Sequence, residues 1–63
     1  MRTLSPTKIL ALANAAADRD DHSTARFHAW SALSAAGIWQ DVKKTINLHE
    51  HGAILRVANE RLS

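Results

Sequence analysis

Residues 24–42, TARFHAWSALSAAGIWQDV, form the stretch that decides the fold. Its alanines recur at intervals of four, three and four residues, which places them on one face of a 3.6-residue helix: Ala25, Ala29, Ala32 and Ala36. A face of small side chains lets a neighbouring helix approach closely. The stretch therefore predicts a helix that packs tightly against another helix.

Gly37 predicts where this helix ends. Glycine adopts the left-handed backbone conformation just past a helix without a Cβ clash. Leu33 and Ile38 occupy the positions whose side chains make contact in such a cap. We therefore expect a helix, a corner at Gly37, and a second helix that turns back.

This corner carries a recurring pattern, Ala32-x-x-x-x-Gly37-x-Trp39-x-x-Val42. The pattern resembles the turn between the two helices of a tetratricopeptide-type hairpin, where a small residue, a glycine, an aromatic residue and another small residue recur. The resemblance implies hairpin geometry for the corner and carries no function with it.

A further helix is predicted before this stretch, over residues 6–18. Ser5 can cap it and Pro6 suits its first position. Its buried face is expected to contain Ile9, Leu12, Ala13 and Ala16, with Leu10 and Ala17 at the edge of that face. The charged residues that follow form a turn, in which Asp20, Asp21 or Ser23 can cap the next helix.

The C-terminal part has two interpretations. Apolar and half-polar residues recur there at helical spacing: Trp39, Val42, Ile46, His49 and Ala53. Residues 45–48 and 53–57 can instead form two strands joined at 49–52, because β-branched residues and a glycine are in place. The helical pattern is longer and an isolated two-stranded hairpin is marginal. Helix is therefore favoured, with a break near Gly52.

The length predicts a single small domain over residues 1–63, and the helical patterns with short turns predict an all-α fold of three or four short helices in antiparallel hairpins. A chain of this size buries only about 60% of its unfolded surface, so we expect a homodimer to complete the bundle. The chain contains no cysteine, which excludes disulfides and thiolate zinc sites and favours a cytoplasmic location. No apolar run is long enough to span a membrane.

The polar residues do not form a recognisable catalytic or metal site. On a helix His49 and His51 point about 200° apart, and they share a face only on a strand. Serine, histidine and aspartate all occur, but in no pattern that pairs a nucleophile with a base, and a unit this small leaves little interior for a pocket. We therefore expect no metal, no cofactor and no enzymatic activity.

The aromatic residues around the corner are the main binding candidates. Phe27, Trp30 and Trp39 can hold the hairpin together, and tryptophan is also over-represented among residues that dominate binding energy. These residues favour a small non-enzymatic regulator or inhibitor that binds a protein partner through apolar and aromatic helix faces, as a homodimer.

The alternative function is that of a small helical DNA-binding transcriptional regulator. Gln40, Lys43, Lys44 and Asn47 would lie on one side of the third helix and present polar and basic groups to the major groove. The net charge is only +2, and Lys43 and Lys44 form the one adjacent basic pair. Nucleic-acid surfaces usually have more clustered basic residues, so this function is less favoured.

Overall fold

The computed structural model describes residues 4–63, which fold into four helices without a strand. The helices are α1 (Pro6–Asp18), α2 (His22–Ala35), α3 (Trp39–Thr45) and α4 (Ala53–Leu62). The all-α fold predicted from the sequence is confirmed. Within this described part of the chain, none of the helices combines the length and apolarity that a bilayer crossing requires.

Helix α1 begins and ends at the predicted residues. The backbone N–H of Lys8 donates to the Ser5 hydroxyl oxygen at 3.4 Å, and Pro6 occupies the first turn. The buried face differs from the prediction, because Leu10 is buried while Leu12 is 45% exposed. Residues two apart point about 200° away from each other on a helix, so the packing that buries Leu10 turns Leu12 to solvent.

A connection of only three residues, Arg19 to Asp21, joins α1 to α2. Asp20 has a φ of 60° there. The N–H of Asp20 donates to Ala17 O and that of Asp21 to Ala16 O, both at 2.9 Å. This is the bonding pattern of a glycine-terminated helix, formed here without glycine.

Asp21 also begins the next helix. Its carboxylate accepts a hydrogen bond from the Thr24 N–H at 3.3 Å and caps α2, which identifies the cap among the three predicted candidates. Asp21 thus completes the hydrogen-bond pattern at the end of α1 and also caps the start of α2. Helices joined this closely and packed extensively against each other run antiparallel, and α1 with α2 forms the main hairpin of the fold.

The predicted end of α2 at Gly37 is confirmed in detail. Gly37 has a φ of 76°, its N–H donates to Ser34 O at 3.0 Å, and the N–H of Ile38 donates to Leu33 O at 3.2 Å. Leu33 is fully buried and Ile38 packs against the core, as expected for the contact that accompanies this cap.

The alanine face of α2 lies in the interior. Ala25, Ala29 and Ala32 are buried and Ala36 is partly buried. The central cluster joins alanines to a few larger side chains from every helix: Leu10, Ala13, Ala29, Ala32, Leu33, Val42, Ile54 and Ala58. Small side chains on both helices explain how α1 and α2 pack so extensively.

The predicted continuous stripe beyond Gly37 is broken over residues 46–52. Helix α3 has only seven residues and ends when Ile46 adopts an extended conformation, with φ −95° and ψ 143°. The Asn47 side-chain oxygen then accepts a hydrogen bond from the His49 N–H at 3.0 Å, a local bond that competes with helix. Helix resumes only after Gly52, so the break is wider than the sequence predicts.

A pair of half-buried amides connects α1 with α4. The Asn14 amide nitrogen donates to the Asn59 oxygen at 3.0 Å, and the reverse bond measures 3.1 Å. Each amide nitrogen also donates to a carbonyl one turn back on its own helix, Leu10 O or Leu55 O. Both side chains are therefore well satisfied although they lie between helices.

Candidate protein-binding surface

The structure brings the three predicted aromatic residues together. Phe27 and Trp30 lie three residues apart on α2, with ring centroids 6.2 Å apart. The corner at Gly37 returns Trp39 to them, so that the rings of Trp30 and Trp39 lie 6.5 Å apart at an interplanar angle of 82°. This edge-to-face arrangement is a favourable geometry for aromatic pairs.

Much of this aromatic group is open to solvent. Phe27 is 58% exposed and Trp30 is 40% exposed, while Trp39 is half-buried. Leu48, from the irregular connection, is 44% exposed and lies beside the same groove. We call Phe27, Trp30, Trp39 and Leu48 the aromatic surface. They line a groove of about 330 Å³ together with Ser23, Arg26 and Ile54.

Sequence reasoning missed Leu48 as a member of this surface. In a continuous helix or in a strand, its position relative to the tryptophans would be different. Only the break after Ile46 lets the chain turn and place Leu48 against α2. The Asn47 side-chain bond to His49 is the local signal that goes with this turn.

The groove continues into a more polar region. A second cavity of about 280 Å³ shares Ser23, Arg26, Leu48 and Ile54 with the first. We call this region the polar end. Its further lining includes His22, His49, Glu50 and His51. The two cavities adjoin at these shared residues, and we treat them as one groove with an aromatic half and a half rich in imidazoles. Arg26 lies on the wall that both halves share.

Within residues 4–63, Glu50 is the one carboxylate that lines the polar end, and it is already engaged. Glu50 Oε2 lies 2.8 Å from Arg56 Nη2, and Arg56 Nη1 also contacts Glu60 at 3.3 Å. The hydrogen bond and charge of Glu50, followed by those of Glu60, raise the pKa of the Arg56 guanidinium. Among residues 4–63 Arg26 belongs to no ion pair, so its charge faces the groove without a protein carboxylate.

The histidines come closer together than the sequence indicates. The rings of His22 and His51 lie edge to face with centroids 4.8 Å apart, and His22 Nε2 is 3.9 Å from Asp20 Oδ1. His49 and His51 both lie in the irregular connection and on neither a helix nor a strand. In the part of the chain that the structure describes, no three histidine, aspartate or glutamate side chains are grouped as metal ligands.

The residues predicted for DNA contact are only partly brought together. Gln40, Lys43 and Lys44 are exposed on α3, at spacings that share one helix face. Asn47 does not share that face, because α3 ends at Thr45 and the Asn47 side chain is bonded to the connection. The prediction that all four lie on one side of a helix is therefore wrong for Asn47.

Comparisons with known proteins leave the surface to be interpreted from its own chemistry. No family model, curated protein or solved structure matches the chain. The tetratricopeptide-type resemblance covers residues 32–42 only.

Proposed function

We propose that this protein is a small non-enzymatic regulator or inhibitor that acts by binding another protein through the aromatic surface. One observation carries the proposal: Phe27 and Trp30 are the most voluminous type of apolar side chain, yet they are exposed side by side while the interior is filled largely with alanine. Contiguous exposed apolar groups of this kind are typical of interaction sites.

The geometry also favours binding at a low entropic cost. Phe27 and Trp30 project from one face of a helix of 14 residues that is capped at both ends. Trp30 and Trp39 pack edge to face with ring centroids 6.5 Å apart, so Trp39 also restrains the Trp30 ring. Side chains held by a rigid element lose less freedom on binding than side chains on a loop.

The homodimer and the cytoplasmic location predicted from the sequence belong to this proposal. When no other protein covers the aromatic surface, a second copy of the chain can do so and remove the same apolar area from water. Self-association then competes with partner binding, and the free protein is a reversible dimer.

Light scattering coupled to size-exclusion chromatography tests this use of the surface. We expect the wild-type chain to form dimers as its concentration rises, and Phe27→Ser and Trp30→Ala to stay monomeric with unchanged helical circular dichroism. Leu12→Ser is the matched control, because Leu12 is similarly exposed on α1 but lies outside the groove. Equal dimerisation of the wild type, Phe27→Ser and Trp30→Ala would contradict the proposed interface, and a wild type that is always monomeric would contradict self-association.

DNA binding is the alternative proposal, and one observation favours it. Lys43 and Lys44 are exposed in the last turn of α3, beside Gln40, and within residues 4–63 neither lysine is in an ion pair. If they contact phosphates, a Lys43→Gln/Lys44→Gln double variant lowers duplex affinity and reduces the slope of log affinity against log salt by about 1.8. A wild-type chain without salt-dependent duplex binding would overturn this alternative.

A further inference from the structure

We propose that the groove takes a segment of a partner protein in which a large apolar side chain lies next to carboxylates. This inference rests on the proposed function, because it names the chemistry of the partner for the same surface. It follows from the groove having two halves of different character that share one wall.

The aromatic half fits the apolar side chain of the partner. Phe27, Trp30, Trp39 and Leu48 offer almost only apolar groups there. A leucine, phenylalanine or tryptophan of the partner would lie against the exposed faces of these rings and exclude water from them. Clefts that bind peptides commonly combine such an apolar anchor site with a few charged groups that fix orientation.

The charges of the polar end select the neighbouring residues of the partner. Arg26 lies where the two halves meet and has no protein carboxylate bound to it within the described residues. Among the described residues Glu50 is the one carboxylate in the lining, and it is paired at 2.8 Å with Arg56, which also contacts Glu60. A partner carboxylate beside the apolar anchor can therefore pair with Arg26, which no carboxylate of residues 4–63 engages, whereas a basic residue there would be repelled by Arg26.

The same charges disfavour a second copy as the occupant of the whole groove. In a two-fold dimer only residues near the axis meet their own counterparts, so a dimer whose axis passes through the polar end brings Arg26 near the Arg26 of the partner subunit. Two copies can share the aromatic half alone, while an acidic partner can use both halves. The acidic partner therefore covers more of the groove and displaces the second copy.

A random-peptide selection tests the chemistry of the partner and does not require the partner to be identified first. Displayed peptides of about 12 residues, a length comparable with one helix-in-groove ligand, are selected on the wild-type chain and counter-selected on Phe27→Ser. We expect the retained sequences to place aspartate or glutamate within a few positions of leucine, phenylalanine or tryptophan. A fluorescent peptide of the enriched sequence is then titrated against purified variants.

The variants separate the two halves of the groove. Phe27→Ser should lower the affinity for the peptide at least about tenfold, as expected for the loss of a buried aromatic anchor. Arg26→Gln should weaken it about threefold to fivefold, and added salt should remove this difference. Lys43→Gln and Leu12→Ser are matched controls for charge and apolar area outside the groove, and they should bind as the wild type does. Circular dichroism confirms that each variant is folded.

Each other result contradicts a defined part of the inference. Enrichment of apolar peptides without acidic residues, bound equally by Arg26→Gln, would overturn the acidic partner and leave the aromatic surface as a binding site. Enrichment of basic peptides would do the same. If no peptide depends on Phe27 while the chain is monomeric, both the inference and the proposed function fail. If the chain is a dimer that excludes every peptide, the inference fails and the second copy is the occupant.

Discussion

Asp20 has the backbone conformation that glycine usually supplies at the end of a helix. Its φ of 60° is strained for a residue with a side chain, although aspartate tolerates this region better than most. The sequence indicated Asp20 only as a cap for the following helix, because the common signal for this position is glycine. The backbone bonds to Ala16 and Ala17 show that it completes the end of α1 instead.

Replacing Asp20 with glycine should therefore stabilise the protein. Asp20→Gly removes the left-handed strain and loses part of the gain to the greater freedom of glycine in the unfolded chain, so we expect the free energy of unfolding to rise by about 0.5–1 kcal/mol. Gly37→Ala is the reverse substitution at the end of α2, because it adds a side chain where the backbone is left-handed. Its added Cβ would meet no atom within 4 Å, so only the positive φ opposes it, and we expect a loss of about 1 kcal/mol.

Urea denaturation followed by tryptophan fluorescence measures both changes. Asp20→Asn, which keeps the tolerance for left-handed backbone without the charge, separates strain from the contact with His22. A lower stability of Asp20→Gly would show that the aspartate side chain matters more than the backbone strain.

Asp21 should make part of the stability depend on acidity. Hydrogen bonds from the Thr24 side chain and then its backbone N–H hold the pKa of the Asp21 carboxyl below its usual value. A lowered pKa in the folded state stabilises the fold above the pKa of the unfolded chain, and this contribution is lost as the pH falls through the folded value. Asp21→Asn keeps a capping oxygen but cannot titrate.

We therefore expect the wild type to be more stable than Asp21→Asn at neutral pH, and the difference to shrink below about pH 4. Urea denaturation at a series of pH values measures the difference. A gap that stays constant into the acid range would show that the charge of Asp21 does not contribute through this cap.

At the scale of the helices, the alanine face of α2 sets how closely α1 can pack. Ala29 is completely buried, whereas Ala35 on the same helix is exposed. Ala29→Leu should force the two helices apart and cost about 1–3 kcal/mol, while Ala35→Leu should change stability by less than about 0.5 kcal/mol. Thermal unfolding followed by circular dichroism compares them. Equal melting temperatures would mean that the hairpin has unfilled space at Ala29.

The amides of Asn14 and Asn59 should show strong coupling between α1 and α4. Removing one amide leaves the other half-buried without its partner, so Asn14→Ala and Asn59→Ala should each cost about 1–3 kcal/mol. The double variant should cost clearly less than the sum of the two, because the second substitution removes a group that was already unpaired. Additive losses would indicate that the two amides do not act as a pair.

The sequence predicted helices well where local signals determine them. The cap at Ser5, the first-turn proline and the glycine at 37 act through neighbouring residues, and the structure confirms the ends that they predict. The helical prediction for residues 46–52 is wrong. It rested on their apolar spacing, which matches a helix, but a hydrogen bond to the Asn47 side chain favours a turn there. The sequence contained no signal for the pair of Asn14 and Asn59, since the two residues are 45 positions apart.

At the scale of the whole molecule, the distribution of side-chain size is unusual. The largest fully buried side chains are Leu33 and Val42, while Phe27 and Trp30 are exposed. The alanine spacing and the corner predicted that the aromatic residues would meet. The packing of α3 and of the connection after it determines which ring faces are exposed. This packing could not be derived from the spacing of apolar residues in the sequence.

This distribution predicts which substitutions unfold the protein. A domain of 63 residues has a total stability of about 3–9 kcal/mol, and Leu33→Ala should remove about 2–5 kcal/mol of it. Phe27→Ser, although it removes a larger apolar group, should change stability by less than about 0.5 kcal/mol because the ring is mostly in water. Denaturation of the two variants compares them, and a large loss in Phe27→Ser would mean that the ring supports the fold.

The uneven packing of the helices has a consequence for motion. Buried alanines and Asp21, which contributes to both helix ends, stabilise the α1–α2 hairpin. Helix α3, in contrast, is short and contacts mainly α2. Segments with few tertiary contacts open locally without global unfolding, and their amide protons exchange faster. Trp39 lies in α3 and Leu48 in the connection that follows it. The groove can therefore be lost by local unfolding of these segments while the α1–α2 hairpin stays folded. A bound segment that holds residues 39–52 closed would then slow amide exchange there far more than in α1.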